Sequence, residues 1–241
     1  MNKIIRFIPN LITLINLLFG IFAVIFAMSE WFQMAGAMIA IAAIFDFFDG
    51  FAARLLKATS NLGKELDSLA DMVSFGLAPG LLLYSMIEYY RADDYLLEYF
   101  SYLALLVPLF SAYRLAKFNV DERQSDRFFG LPTPANALVI ASFPWIKGQH
   151  DVMFGFFLNP IQEWVISPIF LGLFALVFSI LLVVDLPLFA LKVKNFTWND
   201  NKLVYSFLAF SVLSILCLHF IALPLIIVVY ILLSVVDNAK G

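Results

Sequence analysis

Apolar positions in this chain come in long unbroken runs separated by short polar turns. A membrane-crossing helix needs about 20 mostly apolar residues at about 1.5 Å of rise each. Runs that meet or approach this length are Asn10–Met28, Trp31–Leu56, Glu65–Tyr90, Tyr95–Phe118, Thr133–Ile146, Ile161–Val184, Leu203–Phe220 and Leu223–Val236. The fifth is short, and the last two are closely spaced. Period-two alternation of the kind that marks barrel strands is absent from them. The pattern therefore predicts an all-α polytopic bundle of about eight spans.

Composition removes the main alternatives. The 241 residues are 63% hydrophobic and only 14% charged, with a mean hydropathy of +0.92. Soluble domains run nearer 45–50% apolar and about 25% charged. Fifteen Lys and Arg against eighteen Asp and Glu leave a net charge of −3, so no basic excess exists to grip nucleic acid. Cys217 is the single cysteine, which excludes a disulfide scaffold and reads as an apolar filler. The basic residues are nevertheless unevenly placed. With the amino terminus in the cytoplasm, that side holds Lys3, Arg6, Arg54, Lys57, Lys64, Arg114, Lys117, Arg123, Arg127, Lys192, Lys194, Lys202 and Lys240, and the other only Arg91 and Lys147. Thirteen against two sets both termini in the cytoplasm with an even number of spans. The first apolar run lacks a small-residue cleavage site and is expected to be retained. Residues 1–9 read either as an interfacial amphipathic segment or as an ordinary basic flank. No linker divides the chain, which reads as one membrane domain.

Four carboxylates stand where lipid-facing residues are expected. Asp46 and Asp49 are three apart near the end of the second run; Asp67 and Asp71 are four apart near the start of the third. Each pair shares a helix face. A central Asp costs roughly 2.5–3.5 kcal/mol to insert, so such residues usually mark function. The shared turn between the two runs makes them antiparallel, which lets Asp46 face Asp71 and Asp49 face Asp67. Arg54 and Lys64 are too shallow and too few to neutralise the four. Divalent cations would do so, and oxygen donors without His or Cys favour Mg²⁺, Mn²⁺ or Ca²⁺. Two such ions can clamp the entering and leaving oxygens of a phosphoryl transfer. Gly50, Ala53 and Gly63 leave room for a polar group beside the helix backbone.

The string Asp46-x2-Asp49-Gly50-x2-Ala53-Arg54-x8-Gly63-x3-Asp67-x3-Asp71 resembles the signature of the CDP-alcohol phosphotransferase superfamily. That resemblance implies a six-helix catalytic core over about residues 10–184, with residues 185–241 adding C-terminal spans. It further implies a homodimer and a two-metal site open to the cytoplasm, in a bacterial cytoplasmic membrane. Asp46, Asp49, Asp67 and Asp71 would be the metal ligands, and Asp71 also the base. Gly50, Ala53, Arg54, Gly63 and Asp67 would surround the cytidine nucleotide. Four further blocks resemble integral-membrane phosphatidylserine synthases: Ile8–Thr13 with Asn16 and Gly20, Val73–Pro79, Arg114–Asn119 and Phe129–Ala137. They imply transfer of the phosphatidyl group of CDP-diacylglycerol to L-serine, with release of CMP.

Several side chains have two readings at this stage. Asn10 and Thr13 either bind the nucleotide phosphates or cap a helix at the membrane entry. Arg114 and Lys117 either hold an acceptor carboxylate or simply follow the positive-inside bias. Ser74 either supports Asp71 or bonds back to its own helix. Asn136 either touches the acceptor or caps the fifth span. Pro108, Pro144, Pro168 and Pro224 are expected to kink their spans, and Asp185 to be an interfacial charge. Rival functions are a sister enzyme acting on glycerol 3-phosphate or inositol phosphate, which would want convergent cations, and a cation transporter. A transporter would spread its carboxylates across the bilayer, whereas here they gather toward one face.

Overall fold

The computed structural model describes residues 3–91, 94–120, 128–147, 162–189, 197–198 and 201–238, side chains of residues 3–6, 96, 128 and 129 excepted. Helices dominate: α1 (Lys3–Met28), α2 (Phe32–Leu55), α3 (Asn61–Asp71), α4 (Ala78–Tyr90), α5 (Tyr95–Leu103), α6 (Leu106–Val120), α7 (Thr133–Lys147), α8 (Pro168–Val183), α9 (Lys202–Leu218) and α10 (Ala222–Asn238). A two-residue antiparallel pair, β1 (Phe128–Phe129) with β2 (Pro187–Leu188), is the only extended pairing among the described residues. The all-α bundle expected from the apolar runs is present.

Among the described residues, all eight runs are mainly helical. Among the described residues, five stretches are long and apolar enough to cross a membrane: Phe7–Met28, Phe32–Leu55, Asn61–Tyr90, Leu97–Val120 and Lys202–Asn238. The fifth and sixth runs form shorter helices, α7 of 15 residues and α8 of 16. The last stretch turns back on itself at His219, where φ is 49°. Phe207 of α9 and Tyr230 of α10 consequently meet with ring centroids 5.5 Å apart.

Local chemistry explains where these helices begin, bend and stop. Pro168 does not kink a span; it opens α8, with Ser167 Oγ accepting from Phe170 N–H at 3.3 Å. That is the usual place for a proline, because the first-turn N–H has no intrahelical partner. Pro224 likewise falls in the first turn of α10, and Pro108 in the first turn of α6, just after the helical break at Ala104–Leu105. Pro144 alone of the four lies well inside its helix. The helix also continues without a break through Pro9, so residues 3–9 form the opening turns of α1.

A further feature follows Asp71 directly. Residues Met72–Leu77 form a π turn that joins α3 to α4 in one helical rod. Proline clashes with the carbonyl four residues earlier, and Pro79 sits at the start of α4. The wider turn relaxes that conflict, with Ala78 N–H reaching back to Val73 O. Such turns are rare and tend to occur at functional sites.

Helix contacts position the carboxylates. α1 packs along α2 and also touches α3, the π turn and α4; α6 and α7 pack against the other side of the π turn. Small residues let these backbones approach, as helix pairs in lipid require. Ala23, Ala27, Ala35 and Ala42 are fully buried between α1, α2 and their neighbours. At Gly20 a Cβ would overlap the Ser74 side chain, which fixes how closely α1 meets the π turn. The main apolar core lies deeper, around Phe75, Leu82, Met86, Ile140, Phe143 and Leu171.

Candidate active site

The last turns of α2 and the first turns of α3 bring the four predicted carboxylates to one place. Asp46, Asp49 and Asp67 each put one carboxylate oxygen within 4.8 Å of the others. Asp71 joins them through Asp46, the two carboxyls lying within hydrogen-bonding reach. Asp46 meets Asp71 as antiparallel helices require, while Asp67 gathers with both Asp46 and Asp49. From the other side, Asn16 of α1 places its Nδ2 3.5 Å from Asp71 Oδ1.

This donor set fits hard divalent cations. All four groups offer oxygen, and neither Lys nor Arg forms an ion pair with them among the described residues. Asp49 is buried, and its Oδ2 has no hydrogen-bond partner. A buried carboxylate oxygen without a partner is costly, and a bound cation would satisfy it.

A cavity of about 430 Å³ opens beside Asp49 and Asp67. Gly50 and Ala53 form its α2 wall, and Asn10 and Thr13 its α1 wall. Nothing lies within 4 Å of where a Gly50 Cβ would stand, so the space in front of that glycine is open. Gly63 is tight instead: a Cβ there would come 3.1 Å from both Asn10 Oδ1 and Ser60 Oγ. The α3 end of the cavity holds a feature that the spacing motif did not reveal. Ser60 caps α3 by accepting from Gly63 N–H at 3.0 Å, and Thr59, Ser60, Asn61 and Lys64 all line the cavity. A helix N-terminus with a lysine in its first turn suits a phosphate group. The signal was present in the sequence as Ser60 preceding a polar helical turn with Lys64.

The comparisons with known proteins bear on this geometry. Residues 6–184 match the model of the CDP-alcohol phosphatidyltransferase family. The chain belongs to that family. It is similar to a CDP-diacylglycerol–serine O-phosphatidyltransferase of Bacillus subtilis, 38% identical over 58% of this chain and 77% of the relative. One of that name from Mycobacterium bovis is 30% identical over 93% of this chain and 76% of the relative. An archaetidylserine synthase of Methanothermobacter thermautotrophicus is 30% identical over 70% of this chain and 71% of the relative. This member of the family is a transferase of phosphate groups, and its five long apolar helices make it a membrane protein. Its carboxylates, its cavity and its π turn all lie within the matched residues.

The remaining predicted residues take definite places in this family member. Thr13 is buried, donates to Pro9 O at 3.1 Å and faces Asp49. Arg54 is exposed on the last turn of α2, outside the cavity lining. Ser74 does not bond back to its own helix: its Oγ donates to Asn16 O at 3.2 Å, tying the π turn to α1. Arg114 donates from Nη1 to Leu182 O, and Lys117 pairs with Asp185. Asp185 is therefore an ion-pair partner. Asn136 is fully buried on α7 and neither atom of its amide has a hydrogen-bond partner. Asn119 joins α6 to α3, donating from Nδ2 to Ser68 Oγ at 2.8 Å while its carbonyl accepts from Lys64 Nζ at 3.2 Å.

Proposed function

We propose that the chain transfers the phosphatidyl group of CDP-diacylglycerol to the hydroxyl of L-serine and releases CMP. The observation that supports this most directly is the gathering of Asp46, Asp49, Asp67 and Asp71 beside a cavity that ends on the capped N-terminus of α3. The names of the relatives supply the lipid donor and serine; the sequence blocks that resemble serine enzymes agree.

Asp46, Asp49, Asp67 and Asp71 would hold two divalent cations, Mg²⁺ or Mn²⁺, with Ca²⁺ as an alternative at one position. When bound, these ions neutralise the carboxylates and polarise the diphosphate of the donor. Asn10, Thr13, Gly50, Ala53, Gly63 and Asp67 surround the cytidine nucleotide, and Arg54 contacts its outer part. The N–H groups that open α3 and the Lys64 ammonium take the leaving phosphate. Asp71 receives the proton of the acceptor hydroxyl. The serine oxygen forms its bond to the diacylglycerol-bearing phosphorus as the bond from that phosphorus to CMP breaks, and CMP leaves with the electron pair. Arg114 takes the serine carboxylate, with Ser74, Asn136 and Lys117 shaping that side. The acyl chains stay in the bilayer. The enzyme works as a homodimer in a bacterial cytoplasmic membrane, with its cavity facing the cytoplasm.

The test is purified full-length protein with CDP-diacylglycerol and Mg²⁺, given L-serine, glycerol 3-phosphate or inositol phosphate in parallel. CMP and phosphatidylserine appearing in equal amounts with L-serine support the reading. Faster CMP release with either phosphorylated acceptor overturns the choice of serine.

A further inference from the structure

A second cavity lies at the far end of the same helices. Its volume is about 540 Å³, and it sits between the α1–α2 turn, the end of α4 and the end of α7. Along α1, Glu30 at this cavity stands about 25 Å from Thr13 at the first one. Glu30, Gln33 and Lys147 supply its polar lining, and Trp31, Tyr90 and Trp145 its aromatic walls. Lys147 Nζ lies 4.2 Å from the centre of the Tyr90 ring.

Glu30 adopts a left-handed conformation, φ 63°, as the chain leaves α1. Trp31 N–H bonds to Phe26 O at 2.9 Å across it, closing a standard helix stop. Glycine is the unstrained residue there, because a Cβ is crowded at positive φ. A carboxylate is thus kept at the rim of this cavity against a backbone preference.

Below the cavity runs an apolar groove of about 320 Å³ that shares Trp145 with it. It passes Gly36 and Ala40 of α2 and Ala141 of α7, and ends at Phe220 beside the α9–α10 turn. From Gly36 to Ile41 it follows α2 for about 7.5 Å. A Cβ at Gly36 would run into the Ala141 carbonyl, so the two backbones touch and form the groove floor. Among the described residues this cavity offers one cation and one carboxylate at a level where Trp and Tyr gather, above a channel of small apolar residues. That set complements a zwitterionic lipid head group with an acyl chain.

We propose that this end of the bundle binds one zwitterionic phospholipid with a primary ammonium head group. Its phosphate rests on Lys147, its ammonium on Glu30, and one acyl chain lies in the groove past Ala40. This site is separate from the transfer site and does not depend on which alcohol is used there.

Full-length protein in nanodiscs of phosphatidylglycerol, doped with phosphatidylethanolamine or phosphatidylcholine, tests it by native mass spectrometry of retained lipid. Wild-type protein is expected to retain one phosphatidylethanolamine per chain in preference to the other two lipids. Lys147→Ala, Glu30→Gln and the groove-filling Ala40→Phe are each expected to lower that retention by about tenfold. Their CMP release in detergent is expected to match wild type. Glu30→Gly guards against a folding artefact: it relieves the backbone, so its unfolding temperature holds or rises while the lipid is still lost. Equal retention of phosphatidylethanolamine by these variants would overturn the proposal. So would wild-type protein that retains phosphatidylglycerol or phosphatidylcholine as well.

Discussion

The guanidinium of Arg114 donates through Nη1 to the main-chain oxygen of Leu182 at 2.9 Å, joining α6 to the end of α8. Gly130, at φ 74°, packs against the same side chain, where a Cβ would come 2.7 Å from Nη1. Arg114 therefore holds the α8 end and the Gly130 turn together, and it is also the proposed partner of the acceptor carboxylate. Arg114→Ala is expected to lower the unfolding free energy by about 1–3 kcal/mol, since it leaves the carbonyl of the buried Leu182 without its charged donor. Arg114→Lys tests the second duty. It is expected to raise the KM for L-serine by about tenfold or more while the KM for CDP-diacylglycerol stays within about twofold, because an ammonium cannot replace a planar fork. Thermal unfolding and initial-rate kinetics on the same preparations check both.

Asp71→Asn is expected to reduce turnover by about 10²–10⁴-fold, the range for loss of a positioned base. Four like-charged side chains in one pocket repel, so the variant is expected to unfold at the same temperature as wild type or higher without added metal. A variant with more than half of wild-type CMP release would remove Asp71 from the chemistry.

Asp49 carries the buried oxygen without a partner. Binding of Mn²⁺ to the native state alone is expected to raise the unfolding temperature with increasing concentration. Asp49→Asn is expected to lose most of that rise. Differential scanning fluorimetry with Mn²⁺, Mg²⁺ and a chelator reads this without any substrate.

Ser60→Ala removes the cap of α3 and is expected to cost about 1 kcal/mol of stability. The same change disorders the N–H groups proposed to meet the leaving phosphate. A raised KM for CDP-diacylglycerol with an unchanged KM for L-serine is therefore expected, and the reverse split would contradict the placement of the nucleotide.

The C-terminal hairpin reaches back to the loops beside Arg114. Tyr230 Oη donates to Phe189 O at 2.8 Å, and Phe189 N–H donates to Ser234 Oγ at 3.3 Å. β2 then pairs with β1, and Gly130 N–H donates to Leu186 O at 2.8 Å. Tyr230→Phe combined with Ser234→Ala is expected to speed amide exchange at Gly130 and Leu131, measured by mass spectrometry. Unchanged exchange at those amides would show that the hairpin does not brace the loop.

Much of this architecture was legible because its causes are local. Apolar runs long enough to span lipid could only be helices, and the spacings of Asp46, Asp49, Asp67 and Asp71 put each pair on one face of its helix. Their convergence needed only an antiparallel turn. What escaped detection depends on neighbours distant in sequence. Asn16 meets Asp71 because Gly20 lets α1 close on Ser74, a contact between residues more than fifty positions apart. Pro79 was visible, but a break, a kink and a π turn are all ways to accommodate a proline, and packing chose the third. Lys117 and Asp185 were each visible as a charge near the end of a span; their pairing rests on how α6 and α8 lie together.

Metal-dependent CMP release tests the central claim most directly. Purified wild-type protein, stripped with a chelator, is given CDP-diacylglycerol and L-serine before and after Mg²⁺ or Mn²⁺, beside Asp46→Asn, Asp49→Asn, Asp67→Asn and Asp71→Asn. CMP release that appears only with the cation, and that each substitution reduces by about a hundredfold or more, is the expected result. Equal release with and without cation, or from any of the four variants, would contradict the claim that these carboxylates seat the reaction.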